Sequence, residues 1–295
     1  MSEEYCFYEV VPNSWEEAKR IGRSLRFCVF RGQASQKWGL STSLERAAEL
    51  FNFPKEGLWD QEQRTLYEFK ARAHQFIQSP PQDSEHIEWL SLIQHHGGPT
   101  RLLDFTSSFY VAAFFAIESA NENSSVWAID RFYLRTDSHD KHPIELNSEM
   151  AYPENLEAIL RYAESFITDS RSSADQVVAV TPPRLNERLA VQRGLFLFPC
   201  NIKKSFESNL CETFNYPFDK LISENAIQLK PDDVNEEIIV ATRVMKINLP
   251  RKLHRDAMYD LFSMNIDSAS LFPGLDGFAK SLRLMMRQND RPKDE

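Results

Sequence analysis

The sequence predicts an α+β fold in which short strands alternate with amphipathic helices. Three observations lead to this expectation. Short runs with β-branched and aromatic residues recur between residues 27 and 247. Apolar residues at helical spacing occupy the stretches between them. A strand at Arg101–Phe105, an apolar helix from Ser107 or Ser108 to Ala116 and a strand at Ser124–Asp130 follow one another, and this order predicts a layer of helices on a sheet. A chain of 295 residues can form one large domain or two small ones, and because no linker is apparent we expect a single domain over 1–288.

The first part of the chain predicts one strand followed by a run of helices. The elements are a helix from the capping box Ser14–Glu17 to about Leu25, a strand at Phe27–Phe30, and helices at Ser41–Phe51, Trp59–Gln78 and from Ser84 to Gly97. The last three helices have no strand between them. We therefore expect residues 41–97 to form a helical insertion.

The second part predicts further strands and C-terminal helices. The elements are a loop over 132–154, a helix at Leu156–Ile167, strands at Gln176–Thr181 and Leu195–Phe198, a short helix near Ser208–Thr213, a strand at Ile238–Ile247, and helices after Pro250 and Gly274. Residues 201–235 otherwise have no regular pattern. Residues 289–295 are expected to be a charged tail.

The composition argues against several classes of protein. A net charge of −9 gives no general attraction to nucleic acid or anionic membranes. The four cysteines lack the spacing of a zinc site or a disulfide framework. No apolar run is long enough to span a bilayer, and the first residues are not those of a signal peptide. We therefore expect a cytoplasmic protein with reduced thiols and no membrane partner.

Arg31 is the first candidate for a binding residue, because it ends a predicted strand and precedes Gly32 and Gln33. A guanidinium can bind phosphate or ribose oxygens through two parallel hydrogen bonds. A glycine beside it would let a ligand approach the backbone. The alternative is an arginine that pairs with a carboxylate for structural reasons alone.

A second group of candidates lies between Gln94 and Ala116, where polar residues adjoin an apolar helix. Alternation along a strand places Asp104 and Thr106 on one face. A carboxylate between apolar residues needs a partner, and Arg31 or Arg101 would serve. A structural Arg–Asp pair and a catalytic one are equally compatible with this pattern.

The pair His95 and His96 precedes a Gly-Gly-Pro turn. One histidine could act as a general base or as a positive charge at a helix C-terminus. With Asp104 the pair has no established metal-ligand spacing, so we expect no metal. Gln192 precedes a predicted strand and could orient a ligand hydroxyl or lie in a surface turn. The sequence has no serine-hydrolase, P-loop or dinucleotide-binding motif.

These residues resemble the FRG domain family, which is named for a Phe-Arg-Gly motif. The resemblance rests on four segments in order: Phe30–Gly32 with Gln33, Gln94–Thr106 followed by Ala112–Ala116, Arg188–Phe196, and Leu271–Gly277. His96 and Phe105 stand where the family more usually has Tyr and Trp. The resemblance extends over nearly the whole chain.

The FRG family looks like a divergent group of ADP-ribosyltransferases, and this likeness implies a fold and an activity. The implied fold has a split mixed or antiparallel sheet, a helical insertion and C-terminal helices. The implied co-substrate is NAD, with no metal. The implied catalytic residues are Arg31, His95, Asp104 and Thr106. The implied NAD-binding residues are Arg31, Gly32, Gln33, Thr100, Arg101 and Gln192.

One departure from that pattern concerns the catalytic acid. Such transferases carry a glutamate two residues after the position of Gln192, where this chain has Gly194. Asp104, Glu187 and Asp276 are candidates to supply the acid instead. The resemblance further implies a toxin or anti-phage effector that modifies RNA or DNA, with protein as a less favoured acceptor. It also implies a partner, an antitoxin or a chaperone, that restrains this effector. The alternatives are a non-catalytic nucleotide-sensing module and a metal-dependent nuclease.

Overall fold

The computed structural model describes residues 7–131, 134, 154–184, 186–235, 237–238 and 243–283, and it confirms the α+β fold. Among these residues, eight strands are formed: β1 Phe7–Val10, β2 Cys28–Gln33, β3 Leu103–Thr106, β4 Ser124–Asp130, β5 Val177–Val180, β6 Gly194–Pro199, β7 Ala226–Leu229 and β8 Val244–Leu249.

The described helices confirm most of the expected positions. They are α1 Trp15–Ser24, α2 Ser43–Leu50, α3 Leu58–Ala73, α4 His86–His95, α5 Phe109–Ile117, α6 Glu154–Thr168, α7 Glu187–Val191, α8 Phe206–Thr213, α9 His254–Ser263, α10 Ser268–Leu271 and α11 Leu275–Ser281. Helices α2, α3 and α4 are the three that were expected between residues 41 and 97.

The strands form one mixed sheet in the order β5-β6-β3-β2-β4-β8-β1-β7. Strand β1 runs parallel to both of its neighbours, β7 and β8. The other pairings are antiparallel. The register between β2 and β3 joins only Phe30 and Thr106. No other residues of β2 and β3 are paired, so the sheet opens between Arg31 and Asp104.

Three expectations differ from the structure. Strand β1 was not expected, and neither was β7 within the stretch that lacked a regular pattern. The predicted strand at Ile238–Ile247 begins only at Val244, and Ile238 lies in a helical segment. The predicted loop at 132–154, apart from residues 134 and 154, and the predicted tail lie outside the described residues.

Apolar side chains cover both faces of the sheet. On one face α1, α5 and α9 pack on β2, β4 and β8 through residues such as Phe30, Phe109 and Val126. At the β5–β6 end of that face, α4 and α6 pack on Phe196 and Phe198. On the other face, α8 and Trp127 are part of a second apolar core. Alternation along each strand supplies both cores at once.

Helix α5 lies unusually close to the sheet, and Gly32 makes this approach feasible. A Cβ atom added at Gly32 would lie 1.9 Å from the backbone oxygen of Ala112. The helix is apolar on every side, as expected for a buried element, and Ser108 caps it by accepting a hydrogen bond from the Val111 N–H. The position of Gly32 therefore fixes the distance between α5 and β2.

Among the described residues, no helix combines the length and apolar character that crossing a membrane requires.

Replacing Gly32 with alanine should destabilise the protein by about 3 kcal/mol or more, because the new methyl group meets backbone rather than a movable side chain. Urea unfolding measures this loss. The control is Gly97→Ala: Gly97 has a φ of +82° but open space around its Cβ position, so only backbone strain of about 1–2 kcal/mol applies. Equal losses in the two variants would contradict the close packing of α5.

Candidate functional site

A cavity of about 200 Å³ opens where β2 and β3 separate. It is lined by residues from three of the four segments that the sequence singled out: Phe30, Arg31, Gly32, Asp104, Phe105, Thr106, Phe115, Arg188, Leu189, Gln192 and Gly194. The expected meeting of Arg31 with the segment around Asp104 is thus present in the structure.

Arg31 has hydrogen-bonding capacity that the protein does not use. Its Nη1 donates to the Asp104 carbonyl oxygen at 2.8 Å and lies 4.0 Å from the Asp104 Oδ2. Its Nε is buried and has no hydrogen-bond partner. Burial lowers the pKa of the guanidinium, although the Asp104 carboxylate opposes that effect. Because an arginine nevertheless remains protonated at neutral pH, a partly buried cation faces this cavity with donors to spare.

Asp104 is held at the mouth of the cavity by a chain of side chains. Its side chain is 59% exposed, so it can meet a ligand from solvent. The Gln94 Nε2 donates to the Asp104 Oδ2 at 2.8 Å. The Thr100 hydroxyl donates in turn to the Gln94 Oε1. Asp104 is therefore oriented from α4 and from the turn that follows it, as well as by its own strand.

Thr106 and Gln192 connect the walls of the cavity. The Thr106 hydroxyl donates to the Gln192 carbonyl oxygen at 2.7 Å and accepts from the Ser108 N–H at 3.0 Å. The Gln192 Nε2 donates to the Leu271 carbonyl oxygen at 2.8 Å. Both side chains reach the cavity wall, but these bonds engage the proton of the Thr106 hydroxyl and an amide nitrogen of Gln192.

His95 lies near the cavity without lining it. Burial lowers the pKa of His95, and the positive charges of His96 and Arg188 lower it further. The ring of His95 meets that of His96 edge-on, with centroids 4.9 Å apart. The imidazole is therefore held in its neutral form near pH 7, and a neutral imidazole can accept a proton.

Comparison with known families matches residues 26–125 to the model of the FRG domain. The chain contains an FRG domain. The match includes Arg31, Asp104 and Thr106 but not the wall formed by Arg188, Gln192 and Gly194. The searches against curated proteins and against solved structures found no match.

The glycine of the FRG motif has a packing role that the sequence alone did not reveal. Gly32 was expected to let a ligand approach the backbone. It does line the cavity, but the space of its missing side chain is taken by α5. Gln33 was expected to bind a cofactor, yet its side chain is buried, donating to the Gly39 carbonyl and accepting from the Trp127 indole, each at 2.8 Å. These two hydrogen bonds engage both the nitrogen and the oxygen of the Gln33 side-chain amide, so the amide is used within the protein.

Arg101 and Thr100 of the FRG domain are also placed differently from expectation. Arg101 is 1% exposed and forms two hydrogen bonds with Glu62 on α3, at 2.8 Å through its Nε and a second through its Nη2. Its guanidinium lies 5.0 Å from the Phe198 ring, and its Nη1 has no hydrogen-bond partner. Thr100 is fully buried and bonds Ser43 and Gln94. Within the protein, Arg101 ties the insertion to the sheet and Thr100 positions Gln94, and contact of either residue with a cofactor stays a prediction.

Leu189 occupies the space in which a longer side chain at position 194 would begin. A Cβ atom at Gly194 would lie 2.3 Å from the Leu189 Cδ1. A glutamate there would require Leu189 to move. Of the three alternative acids, Asp104 lines the cavity, whereas Glu187 and Asp276 do not.

Four cavity residues or their supports were not selected from the sequence: Gln94, Phe115, Arg188 and Leu189. All four lie in the segments that carry the resemblance, so their positions were visible. Their roles depend on side-chain contacts between elements, which one sequence does not display.

A larger groove of about 730 Å³ lies along α3 and the turn after α4, and its walls are mainly apolar. The smaller cavity is the better candidate site, because it combines an unsatisfied cation with a carboxylate. Among the described residues, no group of three or more His, Cys, Asp or Glu side chains could hold a metal ion. Cys28, Cys200 and Cys211 are buried free thiols whose pKa values burial raises.

Replacing Glu62 with glutamine should lower the free energy of unfolding by about 3–5 kcal/mol, because Arg101 would remain charged and buried without its counterion. Urea unfolding measures the change. The matched control is Glu68→Gln, which breaks the exposed pair of Glu68 with Arg72 and should cost about 1 kcal/mol or less. A loss at Glu62 no greater than the loss at Glu68 would contradict the structural role of Arg101.

Proposed function

We propose that this protein is an NAD-dependent ADP-ribosyltransferase that modifies a macromolecule. The observation that carries the proposal is the guanidinium of Arg31, which has an unpartnered buried Nε and faces a cavity that also exposes the Asp104 carboxylate. A desolvated cation with free donors favours an anionic ligand, and a phosphate of NAD supplies one.

The size of the cavity limits what it can enclose. A volume of about 200 Å³ is smaller than most pockets for whole cofactors, which run to roughly 300–1,000 Å³. The cavity suits a phosphate and an adjoining ribose rather than a complete dinucleotide. We propose that the rest of NAD extends across its mouth, where Asp104 is exposed.

The arrangement of the strands supports the same activity. We propose that the sheet corresponds to the split core of ADP-ribosyltransferases. In this assignment β2 supplies Arg31, β3 supplies Thr106 and leads into the alanine-containing helix α5, and Gln192 precedes β6. Thr106 then serves to join these walls through its hydroxyl, since its proton is already donated within the protein.

Asp104 is our candidate for the acid that Gly194 does not provide. Its Oδ2 is oriented by Gln94, and its other carboxylate oxygen can approach a ribose hydroxyl or stabilise positive charge that develops on the sugar. Bound NAD would supply the ADP-ribosyl group: the bond from ribose C1′ to nicotinamide breaks, and a bond from C1′ to the acceptor forms. The acceptor loses one proton, and neutral His95 is our candidate to receive it.

The acceptor is proposed to be RNA or DNA ahead of protein. The net charge of −9 disfavours broad nucleic-acid binding. A small base-reading site does not require such a field, because aromatic stacking can contribute most of the recognition. We propose a cytoplasmic toxin or anti-phage effector that an antitoxin or chaperone restrains.

A second candidate function is a non-catalytic nucleotide sensor. One observation favours it, which is that Leu189 fills the space beside Gly194 where transferases carry their glutamate. A sensor and a transferase would both bind through Arg31, but only the transferase would release nicotinamide.

The experiment that separates these functions supplies labelled NAD and cell lysate to the purified protein, followed by separate nuclease and protease digestion. We expect nicotinamide release and label in nuclease-sensitive material, and Arg31→Ala should reduce both by about 100-fold or more. The matched control is Arg64→Ala, which removes an exposed arginine outside the cavity and should change neither rate. Absence of nicotinamide release by the wild-type protein would refute the transferase proposal, and binding of NAD without turnover would favour the sensor.

Replacing Asp104 with asparagine should lower kcat about 100-fold or more while NAD binding stays within a few-fold, because the acid is required when charge develops and not for ground-state binding. Single-turnover kinetics and calorimetry measure the two effects. Wild-type turnover in this variant would remove Asp104 from the chemistry.

The same assay run against pH addresses His95. A base must be unprotonated, and the pKa of His95 is lowered from its usual 6.5, so wild-type activity should be lost only as pH falls below that value. His95→Asn should remove this acidic limb of the profile. An unchanged profile would assign the proton transfer to another group.

A further inference from the structure

Arg188 is a second guanidinium at the same cavity. It lies on α7 and lines the wall opposite β2. No ion pair or hydrogen bond of its side chain appears among the described residues, and its contact is with the face of the Phe272 ring, 4.7 Å from the ring centre. A partly buried arginine that stacks on an aromatic ring keeps its in-plane N–H donors free.

The C-terminal segment determines where Arg188 points. Phe272 meets Phe115 of the cavity wall edge-on, with ring centroids 5.8 Å apart, and Lys280 lies 4.9 Å from the same ring. The residue before it, Leu271, is anchored because its carbonyl accepts from Gln192. The segment 271–277, which resembles the fourth family motif, is therefore attached to the cavity by two independent contacts.

Two arginines around one carboxylate leave the cavity with an excess of one positive charge. Neither Arg31 nor Arg188 has all of its donors paired within the protein. A ligand with two adjacent anionic groups would balance both positive charges and accept hydrogen bonds from both guanidinium groups. A diphosphate is such a ligand, because each of its two phosphoryl groups carries negative charge and oxygens that accept hydrogen bonds.

We propose that Arg31 and Arg188 together form a diphosphate-binding subsite, with Phe272 as the residue that positions Arg188. This inference rests on the proposed function, because it names the part of NAD that the cavity binds. It also assigns a role to the C-terminal segment, which the proposed chemistry does not otherwise use. The walls at Arg188 and Phe272 lie outside residues 26–125, so the subsite requires more of the chain than the matched FRG region.

Calorimetry with inorganic pyrophosphate, ADP-ribose and uncharged adenosine tests the subsite directly. We expect Arg188→Ala to weaken pyrophosphate and ADP-ribose binding by about 10- to 100-fold and to leave adenosine binding unchanged. Arg188→Lys, which keeps the charge without the planar fork, should lose less. The matched control is Arg193→Ala, an exposed arginine beside the cavity wall, which should stay within about twofold because it is not part of the lining.

Three results would overturn the subsite. They are wild-type protein that binds neither pyrophosphate nor ADP-ribose, an Arg188→Ala variant that binds them as the wild type does, and an equal loss in the Arg193 control. If Arg188→Ala does not fold, the subsite is tested instead with Arg188→Lys and with the salt dependence of pyrophosphate binding.

A double-mutant cycle tests the role of Phe272. Phe272→Leu keeps apolar volume but removes the ring, so pyrophosphate binding should weaken, whereas Phe272→Tyr should restore it. If Phe272 acts through Arg188, the Phe272→Leu change should have no further effect in the Arg188→Ala background. Additive losses would show that Phe272 does not act through Arg188.

The outcomes also separate the subsite from the transferase proposal. Arg188-dependent binding of diphosphates without nicotinamide release supports the subsite and refutes the transferase. Nicotinamide release together with unaltered ADP-ribose binding by Arg188→Ala supports the transferase and refutes the subsite.

Discussion

The contact between Gly32 and the backbone of α5 is the constraint on which the rest of the site depends. With no Cβ atom between them, helix and strand approach closely at Ala112, and this sets the distance between α5 and β2. The start of α5 is in turn connected to Thr106, whose hydroxyl accepts from the Ser108 N–H and donates to the Gln192 carbonyl. One glycine thus sets the spacing of three elements that surround the cavity, while the neighbouring Arg31 is left to face it.

Polar groups around the cavity divide into those that are paired within the protein and those that are not. Arg101 with Glu62, Gln33 with Trp127, and Thr100 with Gln94 are buried and paired, as buried polar groups usually must be. Arg31 departs from this rule through its Nε and Arg101 through its Nη1, but Arg31 lines the cavity whereas Arg101 does not. Because desolvating a cation is costly, an unpaired donor in such a place is the clearest physical sign of a ligand site.

Several features could be predicted from the sequence because they depend on local patterns. The Ser14 cap of α1, the apolar helix α5 and the short strands around it all follow from spacing and residue type, although the Glu17 side chain accepts from the Asn13 N–H and not from the Ser14 N–H that a capping box requires. A cation beside Asp104 could also be predicted, because a carboxylate between apolar residues needs one nearby, and Arg31 was one of the two candidates. The burial of Arg101 could not be predicted, because Arg31 and Arg101 look alike in the sequence and only the three-dimensional position of Glu62, 39 residues away, distinguishes them. Strands β1 and β7 were missed because both derive their stability from distant partners, not from a strong local pattern.

The position of β1 has a consequence for how the protein is made. This strand lies between β8 and β7, so Tyr8 pairs with Met245 on one side and with Ile227 on the other. Closing such distant contacts carries a large entropic cost, and neither can form until the ribosome has synthesised those C-terminal strands. The cavity wall is likewise anchored to Leu271 through Gln192. A nascent or truncated chain could therefore contain Arg31 and Asp104 and still lack the completed site, which confines any activity of that site to the finished protein.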